Sequence, residues 1–239
     1  MEFLEHHFFY FILMIFSLAY PLAQSFERRI NYYSKWSRLL PSIIVMMILF
    51  IPWDIWFTDL SVWQFNSDYI CGIKFFLLPL EEWLFFIIIP FACVFIHEVL
   101  NYFFNKQLDS GSYIKIAYSL ACILAFFSVI YSDRLYTLIC FSLTSLSLFI
   151  LAIHKPNWIG TFFRTYFVSL IPFLIINGFL TGSFNETPIV SYSSSQIIGL
   201  RILNIPIEDS MYNLLMLLIV ISIYERKSTL NRIKNVIFT

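Results

Sequence analysis

Seven apolar stretches, at about residues 6–23, 38–56, 75–97, 114–131, 134–153, 163–180 and 202–224, are separated by short polar linkers. Each is close to the roughly 20 residues a helix needs to cross the hydrocarbon of a bilayer. Linkers this short predict one packed helical bundle rather than separate domains. The run "FLLPLEEWLFFIIIPFACVFI" (76–96) breaks the pattern from within: Glu81 and Glu82 follow Pro79, with Phe, Leu, Ile and Trp on both sides. A carboxylate inside a membrane helix costs on the order of 2.5–3.5 kcal/mol on insertion scales. Two in adjacent positions require a reason.

Composition supports the membrane reading. The chain is 59% hydrophobic and 13% charged, against roughly 25% charged residues in soluble domains. A formal net charge of zero argues against nucleic acid as a partner. Cys71, Cys93, Cys122 and Cys140 lack any CxxC spacing and are expected to pack as apolar residues, with neither metal nor disulfide. No basic stretch or small-residue cleavage site opens the chain, so residues 6–23 are expected to be a first span rather than a signal peptide. With seven spans, twelve basic residues fall on one side and only Lys74, Arg134 and Arg201 on the other. That asymmetry predicts an N-terminus outside and a C-terminus in the cytoplasm of a cell (inner) membrane protein.

The acids recur. "GIKFFLLPLEE" (72–82) and "GLRILNIPIED" (199–209) share Gly, aliphatic, basic, four residues, Pro, aliphatic, Glu, acid. Chance alone gives the Gly, base, Pro, Glu and acid positions on the order of one time in ten million per placement. A fainter echo upstream relates "DIWFT" (54–58) to "NGFLT" (177–181). The chain thus reads as a duplication: 1–112 as a first repeat of three spans, 113–132 as a connector helix, and 133–239 as a second repeat. The third and seventh spans cross in the same direction, so the repeats are parallel and related by an axis along the membrane normal. Both acid pairs are then expected at one depth, about 10 Å below Lys74 and Arg201 on Pro-kinked helices. Glu81, Glu82, Glu208 and Asp209 can converge on one apolar chamber, with Pro79 and Pro206 freeing carbonyls beside them.

Carboxyls crowded into such a chamber titrate as coupled units, and a neutral acid beside a carboxylate suits general acid and base work. Aromatic residues make up 20% of the chain, and Trp83, Phe85, Phe86 and Tyr212 lie within four residues of the acids. Their faces can stabilise a cation. Adjacent residues differ by about 100° around a helix, so one acid of each pair is expected to face substrate while the other braces it. Asp54, between Trp53 and Trp56, is either an interfacial cap or a supporting site residue.

The doubled "PLEE" and "PIED" motifs, with "WDIWFTDLSVWQFNSDYICGI" upstream and "EEWLFFIIIPFACVFIHEVLN" downstream of the first, resemble the membrane-integral lycopene (carotenoid) cyclases of the heterodimeric type. Here both halves are fused in one chain. The resemblance is close over about 53–101 and weaker over about 177–212, where Asn177 replaces the acid of Asp54. It implies lycopene β-cyclisation: a proton adds to a ψ-end double bond, the cation closes a six-membered ring, and a neighbouring proton leaves. It further implies lycopene and a one-ringed carotene as substrates, membrane lipids and other carotenoid-pathway enzymes as partners, and Glu81 or Glu82 as donor, with Glu208 and Asp209 tuning it or taking the proton. No cofactor is expected, since no electrons move and no GxGxxG opens a strand–helix unit.

The expected architecture is an all-α integral membrane protein of seven spans, two parallel three-helix repeats and a connector. A proton-coupled transporter, another seven-helix protein that binds an apolar ligand, or a non-catalytic assembly subunit would share it. A retinal protein would need a lysine inside 202–224, and there is none. His97 and Glu98 are expected at a cytoplasmic helix end, where the helix dipole favours histidinium. His6 and His7 are expected at the interface, and Asp59, Asp68 and Glu186 in solvated outer loops.

Overall fold

The structure, a computed structural model, describes residues 7–104 and 108–237; His6 and the basic Lys106 lie outside the described residues. Among the described residues seven α-helices follow one another: α1 Phe9–Gln24, α2 Trp36–Asp59, α3 Leu80–Phe103, α4 Ser110–Ile130, α5 Leu135–His154, α6 Ile159–Leu180 and α7 Ile207–Ile237. Six are long and apolar enough to cross a membrane, the last over Ile207–Arg226. The seventh, α1, has 16 residues and reaches about 24 Å. Local chemistry sets several ends. Asp109 caps α4 by accepting from the Gly111 and Ser112 N–H groups at 3.1 Å each, and α5 stops where Lys155 turns left-handed at φ 48°.

Two expected spans begin five residues later than the apolar runs suggest. Lys74–Phe75 (β2) pairs antiparallel with Leu78–Pro79 (β3), and Arg201–Ile202 (β5) with Ile205–Pro206 (β6), so each run opens with a tight hairpin. The reversals put Phe76, Leu77 and Leu203 in left-handed backbone, at φ 50°, 75° and 56°. Pro79 (φ −65°, ψ 154°) stands just before α3 and Pro206 just before α7. There the missing proline N–H leaves no helix bond unmade. Neither proline kinks a helix, which corrects the expectation of freed carbonyls beside the acids. The acids instead occupy the first turn of α3 and of α7, so their depth does not follow from a helical rise below Lys74 and Arg201.

The two halves meet about a two-fold axis. Trp63–Phe65 (β1) pairs antiparallel with Val190–Tyr192 (β4), with Gln64 opposite Ser191. Gln64 and Ser191 have the same spacing in sequence as Glu81 and Glu208, and equivalent residues that face each other mark the axis. Helix packing obeys it: α1 lies on α3 as α5 lies on α7, and α2 crosses to α7 as α6 crosses to α3. The connector α4 packs chiefly on α5.

The loops that lead into α3 and α7 are held in register by equivalent bonds. Leu80 N–H donates to Ile73 O at 2.9 Å and Ile207 N–H to Leu200 O at 3.0 Å. Each loop also needs one left-handed glycine, Gly72 at φ 83° and Gly199 at φ 90°. A Cβ at either would meet nothing within 4 Å, so the strain of a substitution there is purely of the backbone. Gly72→Ala is therefore expected to destabilise the protein by about 1–2 kcal/mol. Unfolding of the purified protein by added SDS measures this, and an unchanged midpoint would contradict it.

Candidate functional site

The paired acids do two different jobs. Glu81 turns back along its own loop: its Oε1 accepts from the Cys71 N–H at 2.7 Å. Glu208 repeats the contact with the Ile198 N–H at 2.7 Å and gains a second donor, the Thr137 hydroxyl, at 2.6 Å. These first acids fasten the loop onto the helix it precedes. About 100° around the helix, the second acid of each pair, Glu82 and Asp209, points into the bundle.

Glu82 and Asp209 line one cavity enclosing about 50 Å³ of void. Tyr10, Asp54, Trp63, Phe65 and Phe85 reach it from the first half, and Tyr136, Phe173, Asn177, Leu180, Val190, Tyr192 and Tyr212 from the second. At roughly 10–15 Å³ per water on this measure, the void holds a handful of waters and no long molecule.

The three carboxyls in this wall have unequal partners. Asp209 Oδ1 accepts from the Tyr136 hydroxyl at 2.7 Å, and Oδ2 from the Asn177 amide at 2.7 Å and the Tyr192 hydroxyl at 2.9 Å. Glu82 accepts one bond, from the Tyr10 hydroxyl to Oε2 at 2.7 Å. Asp54 Oδ1 accepts from the Trp63 indole N–H at 2.7 Å, while its Oδ2 is buried without a partner. Burial, and then the Asp209 carboxylate, push the Tyr192 phenol well above its ordinary range, so it stays a donor. Aromatic rings close the wall: Trp63 stacks edge-on against Tyr136 and Tyr192, and Trp53 leans on Tyr212.

Of the ten residues expected at the site, Glu82, Asp209, Asp54 and Tyr212 line the cavity and six do not. Glu81 and Glu208, expected to converge on it with their neighbours, turn to their own approach loops instead. Asp54 is buried in the chamber wall and is no interfacial cap. Trp83 points away and packs on the hairpin at Phe75, and Phe86 is buried behind the wall against Phe50 and Phe85. Pro79 and Pro206 set the helix starts and do not line the cavity. Sequence reading found Tyr212 but missed Tyr10, Tyr136 and Tyr192. Tyr10 and Tyr136 hold the second acid of their own repeat in the same way, and "FFYFI" (8–12) set over "RLYTL" (134–138) carries the signal. Tyr192 and Trp63 lie on β4 and β1, in linkers whose pairing no local pattern reveals.

At the other end of α3, His97 is fully buried, which corrects its expected place at a free helix end. The Thr165 hydroxyl already donates to Thr161 O, so His97 Nδ1–H donates to Thr165 Oγ1 at 2.7 Å. Asn101 donates to Nε2 at 2.9 Å, and Glu225 Oε1 lies 3.1 Å from it. Glu98 is paired with Lys35 and accepts from the Tyr224 hydroxyl at 2.5 Å. This cluster braces α3 against α6 and α7. Asp68 and Glu186 are exposed in loops as expected, and Asp59 is exposed as the last residue of α2.

Comparison with known proteins agrees with the two-fold architecture. The family model described as "Lycopene cyclase" matches the chain twice, over residues 7–100 and 133–226. No curated protein and no solved structure matches it.

The division of labour within each pair can be tested through stability. A buried backbone N–H that loses its acceptor costs about 1–3 kcal/mol, and the half-buried N–H groups here fall toward the lower end, about 1 kcal/mol. Glu81→Ala strands the Cys71 N–H and Glu208→Ala the Ile198 N–H, so each should lower stability by that amount. Thermal midpoints in detergent check it, and midpoints equal to wild type for both would refute the clamp.

Proposed function

The chain belongs to the lycopene cyclase family, and on that premise we propose that Glu82 protonates the ψ-end of lycopene while Asp209 stays ionised opposite it. The unequal hydrogen-bond shells of the two acids carry this reading. Three donors on two oxygens leave Asp209 only an acceptor's role, which is that of a carboxylate. Glu82 has one donor and keeps Oε1 for a proton. The proton passes from Glu82 to the terminal double bond. The resulting cation is attacked by the next double bond to close a six-membered β-ring, and a neighbouring carbon then releases a proton. Asp54 Oδ2, buried without a partner, receives it and returns it to Glu82 between rounds. One proton enters, one leaves, and no electron is transferred.

The walls supply the rest of the chemistry. Asp209 and the faces of Trp63, Phe85 and Tyr212 stabilise the cation in a cavity with room for little water. Both halves contribute acids to one cavity, which supports one site that treats the two ends in turn, with a one-ringed carotene between rounds. Residues 1–112 and 133–239 then serve as two repeats around the connector 113–132. The distribution of basic residues supports a place in the cell membrane with the N-terminus outside, so that the chamber lies toward the outer side. The apolar reactant and product support close association with the enzymes that precede and follow this step in carotenoid synthesis.

Loss of a general acid typically costs 10²–10⁴ in rate. Glu82→Gln should therefore cut cyclisation at least about 100-fold with the protein still inserted, and Asp209→Asn should also suppress it strongly. Pigments extracted from a lycopene-accumulating host, normalised to protein in the membrane, give the measurement. Full conversion by Glu82→Gln would remove it as donor.

Separate expression of residues 1–131 and 132–239 tests the shared chamber. Together the two chains should restore cyclisation, and neither should cyclise alone. A one-ringed product from either half by itself would show that each repeat holds a complete site.

A further inference from the structure

The chamber is far too small for its substrate. With about 50 Å³ of void it can admit an end group only as its walls yield, and the remainder of a long linear polyene must lie elsewhere. A second cavity, of about 360 Å³, lies between α1, α3 and α6. Its walls are hydrocarbon and aromatic apart from Ser17, Tyr20, Cys93 and Ser169. Phe173 lines both cavities and forms the partition between them. On α3 the groove begins at Ile89, seven residues and about 10 Å beyond Glu82, and continues to Ile96. From Glu82 to Ile96 the path runs about 21 Å along one helix. Its mouth is on the outer face of the bundle, where Phe16 is 73% and Tyr20 67% exposed. In a bilayer that face meets lipid, the phase in which a carotene dissolves.

We infer that the groove between α1, α3 and α6 holds the polyene chain of the substrate, entering from the lipid past Phe16 and Tyr20, while Phe173 marks the passage of the end group into the acid chamber. This rests on the cyclase reading and names the part of the protein that binds what the chamber cannot contain. Continuity through Phe173, apolar walls and an opening at mid-helix depth favour a linear hydrocarbon over a polar ligand. The two-fold axis does not extend to this feature. The position equivalent to Phe173 is Phe50, which packs on Trp53, Phe86 and Tyr212 and lines neither cavity. The substrate therefore enters from one side, and must withdraw and reverse before its second end reacts.

Binding and turnover can be separated with lycopene itself as probe. Glu82→Gln protein in detergent should quench its tryptophan fluorescence on titration with lycopene as wild type does, yet form no ring. Ala92→Phe fills the groove from α3 and Ser17→Phe from α1, and either should weaken lycopene binding at least tenfold. Val129→Phe, on the 73%-exposed lipid face of α4, adds bulk elsewhere and should change nothing. Gel filtration confirms folding, and the second plug stands in where the first misfolds. Wild-type affinity in a folded plugged variant overturns the groove, as does a wild-type protein that binds no lycopene. A wild type that binds lycopene, loses binding on plugging and never cyclises it leaves the groove standing and overturns the cyclase reading.

Discussion

Buried carboxyls constrain everything else in this bundle. An ionised or half-satisfied acid within apolar helices is costly, so each must find donors, and the local architecture is the set of ways it does so. Glu81 and Glu208 take backbone N–H groups from their own approach loops, which is why a hairpin and a left-handed glycine precede each helix. Glu82 and Asp209 take tyrosine hydroxyls from α1 and α5, which fixes those helices against α3 and α7. All these bonds stay within one repeat. At the chamber, contact between repeats is of another kind: the β1–β4 ribbon, the crossings of α2 on α7 and of α6 on α3, and the aromatic seam of Trp53, Trp63, Tyr136 and Tyr212. The His97 and Glu98 cluster adds polar bonds between repeats at the far end of α3. Each half supplies donors to its own acids, although one oxygen each of Glu81, Glu208 and Asp54 stays buried without a partner, and the apolar seam brings Glu82 and Asp209 into one cavity.

Duplication produced the framework, and divergence produced the chemistry. Asp54 in the first repeat corresponds to Asn177 in the second, and that single exchange changes the hydrogen bonds open to the neighbouring acid. Asn177 donates to Asp209, whereas Asp54 has no proton to give Glu82 unless it is itself neutral. On the ribbon, Phe65 of the first half corresponds to Tyr192 of the second, which donates another bond to Asp209. One repeat thus surrounds its acid with donors while the other leaves its acid under-bonded. A symmetric pair could share one proton between equivalent acids, but the unequal donors here assign the proton to one side in advance.

Much of this was legible in the chain. Seven apolar runs gave seven helices with most ends within a few residues, because charge and apolar length decide a membrane span. The repeated Gly, base, Pro and acid spacing located the site, because the same loop had to be clamped twice. The hairpins were not legible. Phe75, Phe76, Leu77 and Leu203 are apolar enough to extend a helix pattern, and only pairing across the turn, with Pro79 and Pro206 closing it, reveals strands. Tyr192 and Trp63 escaped for a related reason: their positions depend on β1 meeting β4, some 127 residues away in sequence (64 to 191). Of Glu81 and Glu82, the sequence could say that one faces inward but not which, since that depends on where the helix begins.

The start of α3 at Leu80 and of α7 at Ile207 also explains why two adjacent acids are tolerated at all. Both helices direct their N-termini toward the chamber, and a helix N-terminus carries roughly half a positive charge together with unpaired N–H groups. Unopposed, two such ends would stabilise anions and repel a carbocation. Acids at the second and third positions of each helix reverse that sign: they lie where the dipole lowers the cost of a carboxylate, and they turn a cation-repelling end into a cation-stabilising one. In the proposed reaction the charge and its hydrogen bonds are fixed before substrate arrives, so little reorganisation is needed as a cation forms. On the proposed mechanism the two residues answer a folding problem at the helix end and an electrostatic one in the cavity, one fastening the loop and the other lining the chamber.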